Sequence, residues 1–448
     1  MKPGQCSRCQ ILYSQGLLSP RRKFLILRRN FRCRPALMLD AAAYFDYLSA
    51  NKRLEVPVKI ASVTQAVLNV RYLLYAMASP RKVRMKRSIM VFMFAGATAC
   101  WPSLHAAPIN APAQSVQTHL AACHEKGSTV NCEVSGVARV GERVVLANDK
   151  QMPNPGDPAI FTIGLDAQNR LAGPPGYLDS QTLKQADKYE GLTTTLDGKY
   201  VIAITAFNKE GTAGNPGADA LNTLLYWPAD APAEAKIVNE STRGNVASSR
   251  DLRERISKAV GSPYYQIEAL TTAPDDRLLI GVRKYGENSK AAVFSFLLLS
   301  VPFRIDQQQA VMGDELEVVW RIPAAELAKK LGPAHSPRPE LGLSGIEFDR
   351  YNKDRFYAVT SFEKSDELGG YLWVLPYEGK QIGQPQSVKQ KDGSAVAFNH
   401  KPEGVEVLDR DHVLVVHDDD RVRVKDPNVS RQREAHEFFY NIVDFSTP

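Results

Sequence analysis

Residues 190–205 read EGLTTTLDGKYVIAIT, residues 268–283 read EALTTAPDDRLLIGVR, and residues 403–418 read EGVEVLDRDHVLVVHD. The three stretches have the same length and share one grammar. A glutamate is followed by a small residue and an aliphatic one, then by a polar turn, then by a β-branched or aliphatic run. Residues 135–149 (SGVARVGERVVLAND) and 344–360 (SGIEFDRYNKDRFYAVT) follow the same grammar with Ser in place of Glu. The turns are Gly141-Glu142, Asp197-Gly198, Asp275-Asp276, Asn352-Lys353-Asp354 and Asp409-Arg410-Asp411. Each unit reads as strand, tight turn, strand, and its recurrence marks a repeat architecture.

Working outward, an aromatic-rich run follows each pair, at 160–163, 224–227, 293–296, 371–374 and 438–442, with weaker fourth strands at 235–238 and 317–320. Four strands per unit, repeated radially, predict an all-β fold, a β-propeller of four-stranded blades. A β-sandwich gives no reason for one motif to recur. Stacked blades bury both sheet faces, which accounts for second strands that are apolar throughout. Five repeats are visible, and a degenerate sixth has room in the insertions after Thr205 or Arg283. Two insertions read as short helices. Residues 248–260 begin with Ser and Asp as N-cap candidates and stop before Gly261. Residues 323–331 carry Pro323 in the first turn. Both are expected on one face, over or beside the channel. The last unit has too little chain for a fourth strand. The alternation of 128–134 (STVNCEV) predicts that this segment pairs beside 438–444 and closes the ring, with a Cys123–Cys132 disulfide pinning its start. The propeller is thus placed at 128–448, with 107–127 a linker.

The net charge of +7 averages two unlike parts. Residues 1–106 hold 18 Lys+Arg against 3 Asp+Glu, whereas residues 107–448 hold 38 against 46. An acidic body argues against nucleic-acid binding, which needs clustered basic residues, and suits a cation or a neutral small molecule. Residues 85–106 (MKRSIMVFMFAGATACWPSLHA) join a basic start, a short apolar run and a small residue before Ala107, the layout of a signal peptide. The run is too short to span a bilayer, so no membrane span should remain after cleavage. An export signal cannot work far inside a chain, so residues 1–84 read as a non-native upstream extension. Ala97-Thr98-Ala99-Cys100 allows a lipoprotein anchored at Cys100 as the alternative. Export to the periplasm or medium leaves Cys123 and Cys132 in an oxidising space, where a disulfide persists. The body is expected to be monomeric.

In a propeller the first strand of each blade lines the channel, and the second returns antiparallel to it. The opening glutamates Glu190, Glu268 and Glu403 should therefore share one channel mouth with Asn148, Asp149, Arg283, His417 and Asp418. Converging carboxylates demand neutralisation, either by Arg283, Lys188 and Lys401 or by a hard cation, for which calcium takes six to eight oxygens. Glu190, Glu268, Glu403, Asn148, Asp149 and Asp418 are the candidate ligands of Ca2+ or another divalent cation. His417, His400 and Arg283 are candidate catalytic groups. A glutamate before glycine can also serve only to tie neighbouring blades. There is no G-x-S-x-G elbow, H-E-x-x-H helix or phosphate-cradling glycine loop.

The segments Lys188-Tyr189-Glu190-Gly191-Leu192, Ile267-Glu268-Ala269-Leu270, Lys401-Pro402-Glu403-Gly404-Val405 and Val416-His417-Asp418-Asp419-Asp420 resemble the esterase-like phytase family of exported β-propellers. The chain is also distantly similar to the gluconolactonase and regucalcin propellers, in which an E-G glutamate, an asparagine and an aspartate hold a divalent cation. That likeness implies such roles for Glu190 or Glu403, Asn148 and Asp418. Those proteins have Pro after E-G, where this chain has Leu or Val. The resemblance implies hydrolysis of a phosphate or other ester; the alternative is a non-catalytic propeller that binds a ligand or a protein. On processing, N-terminal sequencing of the exported protein should begin near Ala107, and a mature chain retaining residues 1–84 would overturn the leader assignment.

Overall fold

The computed structural model describes residues 109–150, 157–332, 338–364, 367–420 and 424–446. The leader, Cys100 and Ala107 lie outside them. The described residues form a five-bladed β-propeller. Blade 1 runs from the channel outward as Val134–Val140, Arg143–Asn148, Ile160–Leu165 and Leu171–Tyr177. Blade 2 is Tyr189–Thr194, Tyr200–Thr205, Leu224–Pro228 and Lys236–Ile237. Blade 3 is Tyr264–Ala273, Arg277–Gly286, Val293–Asp306 and Glu317–Pro323, with Gln309–Met312 paired to the long third strand. Blade 4 is Gly342–Phe348, Arg355–Lys364 and Glu367–Glu378, and its outer edge is broken into Gln381–Ile382, Gln386–Ser387 and Ala397–Phe398. Blade 5 is Pro402–Val407, His412–His417 and Glu437–Asp444, completed by Ser115–Ala122 from the other end of the chain.

Five apolar clusters fill the five gaps between neighbouring blades. Strand alternation explains how one segment serves two of them. In blade 2, Val201 and Ala203 face blade 1, while Ile202 and Ile204 face blade 3. This is why the second strands read as unbroken apolar runs.

The inner strands meet closely. A Cβ placed on Gly191 would lie 2.9 Å from the Leu270 side chain of blade 3, one on Gly345 2.9 Å from the Glu403 carbonyl oxygen of blade 5, and one on Gly136 3.1 Å from Leu192 of blade 2. The small residue of the motif is what lets adjacent inner strands touch.

Two expectations are corrected. The closing strand is Ser115–Ala122, antiparallel to Glu437–Asp444 from the pair Ser115/Asp444 to the pair Ala122/Glu437. The segment 128–134 cannot take that place, because it runs directly into the inner strand Val134–Val140 of blade 1. The stretch 107–127 is accordingly not a linker throughout; it supplies the outer strand of blade 5. Cys123 and Cys132 are disulfide-bonded as expected. They bracket the connection from closing strand to blade 1, and their backbone N–H groups donate to the carbonyls of His436 and Ala435 at 2.9 Å each.

The helices are α1 (Gln181–Gln185), α2 (Arg250–Val260) and α3 (Ala324–Lys329). Helix α2 ends on Gly261 in the left-handed conformation at φ 73°, as its sequence requires. Ser249 does not cap its start; its hydroxyl donates to the carbonyl oxygens of Leu224 and Val238 in blade 2. Helices α2 and α3 pack into the gaps between blades 2 and 3 and between blades 3 and 4, and neither lines the channel mouth described below. Replacing both cysteines with Ala should lower unfolding free energy by about 2–3 kcal/mol, from the entropy of the short loop they close. Urea titration of the oxidised wild type against the double variant measures this, and equal midpoints would exclude a role in the seam.

Candidate ligand site at the channel mouth

The residue that opens each repeat sits at the same irregularity. Ladder register shifts across Ser135, Glu190, Glu268, Ser344 and Glu403, so each of the five is the extra residue of a β-bulge. A bulge twists the strand locally and re-aims one side chain. Repeated in five blades, it delivers a ring of side chains to one end of the channel. Arg283 is skipped in the same way between the second and third strands of blade 3.

These side chains border a cavity of about 190 Å³. Glu190, Glu268, Glu403, Asp149, Asp418 and Arg283 all line it, as the sequence predicts. Asp420, Glu363, Lys150, Lys188, Lys284, Lys401, Gln266 and Phe294 line it as well. Seven acidic and five basic residues therefore face one small space.

The basic residues are interleaved with the acidic ones. Lys188 Nζ lies 2.5 Å from Glu190 and 2.9 Å from Asp149. Arg283 reaches both Glu268 at 3.4 Å and Glu403 at 3.1 Å. Lys401 contacts Glu403 at 3.2 Å, Asp418 at 3.6 Å and Asp420 at 3.0 Å. Gln266 donates to Glu268. Blade 4 brings Glu363 of its second strand to the cavity, its Ser361 hydroxyl donates to Glu403 at 3.4 Å, and a Cβ on its Gly342 would meet the Arg283 side chain at 2.6 Å.

Charge balance remains short of cations. Burial, then the charge of Glu268, drives the Glu190 carboxyl well above the usual carboxylate range despite Lys188. Burial likewise raises Asp418, with Asp149, Asp420 and Glu133 adding repulsion against Lys401. Glu268 and Glu403 are hydrogen-bonded to each other. Burial raises Glu403 well above its ordinary value; Glu268 is also desolvated, but Arg283, Glu403, Lys188 and Lys401 hold it at about 2. Glu133, missed in the sequence, brings an oxygen within 4.8 Å of oxygens of Asp149 and Asp418. The Lys150 ammonium already sits beside that group, 2.5 Å from Glu133 and 3.1 Å from Asp149.

The remaining candidates point elsewhere. Asn148 is buried against the Tyr177 hydroxyl. His417 meets the Asn441 amide oxygen at 2.6 Å, and burial, then the charge of His400, depresses it to about 3. His400 is stacked on Phe439, its two ring nitrogens 2.7 Å from Asp419 and 3.2 Å from Asp426. Both histidines are 1 % exposed and are structural parts of blade 5. A signal for the two missed residues, Gln266 and Glu133, was present: like Lys188 and Lys401, each stands two positions before a repeat-opening residue, on the same strand face.

A second polar layer lies three residues deeper along the inner strands. Glu347 of blade 4 accepts from Thr193 of blade 2 at 3.0 Å, Thr271 of blade 3 at 3.1 Å and Arg350 at 2.8 Å. Glu406 of blade 5 accepts from the Arg139 backbone N–H of blade 1 at 2.8 Å.

No family model matches the chain, and no curated protein matches it. Solved structures do. The PQQ-bound aldose sugar dehydrogenase of Streptomyces coelicolor is 12 % identical with a TM-score of 0.28, over 74 % of this chain and 99 % of that one. The α-L-arabinofuranosidase PaAbf62A of Podospora anserina is 9 % identical with a TM-score of 0.35, over 75 % and 97 %. A DUF4623 family protein of Bacteroides eggerthii is 9 % identical with a TM-score of 0.35, over 75 % and 77 %. Likeness at this level carries no functional argument.

The deeper layer gives a pH signature. Burial and the Glu406 charge raise Glu347 from 4.5 to about 8, against Arg350. A raised folded pKa means that protonation favours the fold, so this stabilisation is complete below about 4.5 and is lost as pH rises through about 8. Glu347→Gln cannot ionise, and its stability relative to wild type should climb across that window in urea titrations. A pH-independent difference would show that Glu347 is ionised throughout.

Proposed function

We propose that this domain is an exported ligand-binding propeller whose channel mouth takes up a small ligand carrying positive charge. One observation carries the reading: three glutamates delivered by equivalent bulges converge on one cavity in which acidic groups outnumber basic ones, seven to five. Glu190, Glu403 and Asp418 are driven above their usual range largely by burial among like charges. Such a site gains free energy by accepting a cation in place of bound protons. The disulfide supports an oxidising compartment, periplasmic or extracellular. Among the described residues no helix is long and apolar enough to cross a membrane. Calcium or another divalent ion is one candidate occupant. It fits the Glu133, Asp149 and Asp418 oxygens only by displacing the Lys150 ammonium, whereas Glu190, Glu268 and Glu403 already have Lys and Arg between them.

A hydrolase of phosphate or other esters, as the likeness to esterase-like phytases implies, is the second reading. The Glu268–Glu403 pair favours it, because two carboxyls with pKa values pushed apart can divide base and acid roles. Against it, Arg283 is engaged by both carboxylates and is not free to hold an anionic ester.

Calorimetric titration with calcium chloride and with cadaverine, repeated in buffers of different ionisation enthalpy, tests the first reading. Binding of at least one cation with release of protons is expected, tightening as pH rises. Asp149→Asn should weaken it about tenfold, the scale of one lost charge-assisted contact. Absence of binding by either cation between pH 5 and 9, in the range where ordinary carboxyls and histidines titrate, would sink the reading. Turnover of an ester panel without cation uptake would favour the second.

A further inference from the structure

The charges of the mouth are not evenly spread. Blades 5 and 1 are neighbours in the closed ring, and together they supply Glu403, Asp418, Asp420 and Asp149 to the cavity, with Lys401 and Lys150 between them. Blade 3 lies across the ring from that junction. It supplies Glu268, Arg283 and Lys284. The wall of blades 5 and 1 thus carries net negative charge and the wall of blade 3 net positive charge.

Lys284 differs from the other four cations of the mouth. Lys150, Lys188, Lys401 and Arg283 each contact a carboxylate. Lys284 makes no hydrogen bond or ion pair among the described residues, although it lines the cavity. Its position is fixed by strand pairing: it stands opposite Gln266 on one side and Phe294 on the other. Its ammonium lies over the Phe294 ring at 5.6 Å from the centroid, and the Arg283 guanidinium is at the same distance from that ring. The Arg283 Nε–H is buried with no acceptor. Two cations share one aromatic ring, and one of them, Lys284, contacts no carboxylate. Burial, then repulsion from Arg283, lowers the Lys284 pKa against the attraction of Glu268, so a further anion beside it would be stabilising.

We infer that the mouth binds a small zwitterion in a fixed orientation, its ammonium or guanidinium end on the carboxylates of blades 5 and 1 and its carboxylate end on Lys284 of blade 3. The connecting carbons pack on Phe294. The cavity of about 190 Å³ has room for about six waters at roughly 30 Å³ each, which sets the scale at an amino-acid-sized molecule and excludes an oligosaccharide or peptide chain. This inference rests on the cation-binding reading and adds an anionic subsite to it. Lys284 discriminates: an amine of the same shape without a carboxylate leaves its ammonium unpaired.

The test pairs each of the common amino acids, and glycine betaine, with the amine that lacks its carboxylate, as L-lysine with cadaverine. Thermal shift ranks the panel and calorimetry measures the best pair. The zwitterion should bind about tenfold or more tightly than its amine, the worth of one charge-assisted contact. Lys284→Met keeps the stem, removes the charge and breaks no side-chain hydrogen bond or ion pair; only the ammonium over the Phe294 ring is lost. It should erase that preference while leaving amine affinity unchanged or improved. If amines bind as tightly as their zwitterions in wild type, or if Lys284→Met retains the preference, the inference is overturned while the cation-binding reading stands. If no compound of the panel and no calcium binds, both fall.

Discussion

Five inner strands can converge on one narrow axis only where a residue with almost no side chain stands at the point of closest approach. Gly136, Gly191, Ala269, Gly345 and Gly404 hold that position in the five blades, and a Cβ on any of the four glycines would lie 2.9–3.1 Å from the next blade. Both the ring and the mouth depend on this contact. The bulge immediately before it takes one residue out of the ladder in every blade, and that residue is the one delivered to the channel end. Packing of the ring and presentation of Glu190, Glu268 and Glu403 are therefore consequences of one backbone feature. Function resides in what each blade places at that position, as expected when sites are grafted onto a common fold.

Placing so many carboxylates at buried bulges has an electrostatic consequence. Isolated buried charges are unfavourable by several kcal/mol each unless paired, and the sequence answers with Lys188, Lys401 and Arg283 on adjacent strand positions. Arg283 is the most constrained of these. It serves Glu268 and Glu403 beside Gly342 of blade 4, where a Cβ would meet its side chain at 2.6 Å. Of the opening Ser residues, Ser135 carries a blade-tying role, donating to the Tyr189 carbonyl oxygen of blade 2, whereas Ser344 bonds Ser361 within its own blade.

The repeat grammar made the fold readable, because bulge, small residue, turn and buried second strand each leave a local mark. Five blades, the third strands and both longer helices follow from it. The closing strand does not. Its sequence, SVQTHLAA, is half-buried along its length and carries no strong alternation, and its partner lies more than three hundred residues away. The signal at 128–134 was real but belonged to the entry into blade 1. At the site, the Glu positions and Arg283 were legible from strand geometry. His417 and His400 misled because residues beside a site in sequence alternate across a strand or loop. Lys401 and Asp418 face the cavity, while His400 and Asp419 turn into blade 5 and bond each other.

That alternation links the mouth to the seam of the ring. Asp419 is held by His400 and by the Lys401 backbone N–H at 3.1 Å, which fixes the flanking Asp418 and Asp420 toward the cavity. His400 in turn meets Asp426, and Asp426 accepts from Thr118 of the closing strand at 3.3 Å. Thr118 accepts from Asn441 at 3.0 Å, whose amide oxygen holds His417. An unbroken run of hydrogen bonds therefore joins Ser115–Ala122 to the acidic wall of the site. Buried networks of this kind act as a unit, since breaking one member strands the others in low dielectric. The acidic wall is thus tied by hydrogen bonds to the strand that closes the ring, and a change at Thr118 or Asp426 acts on both.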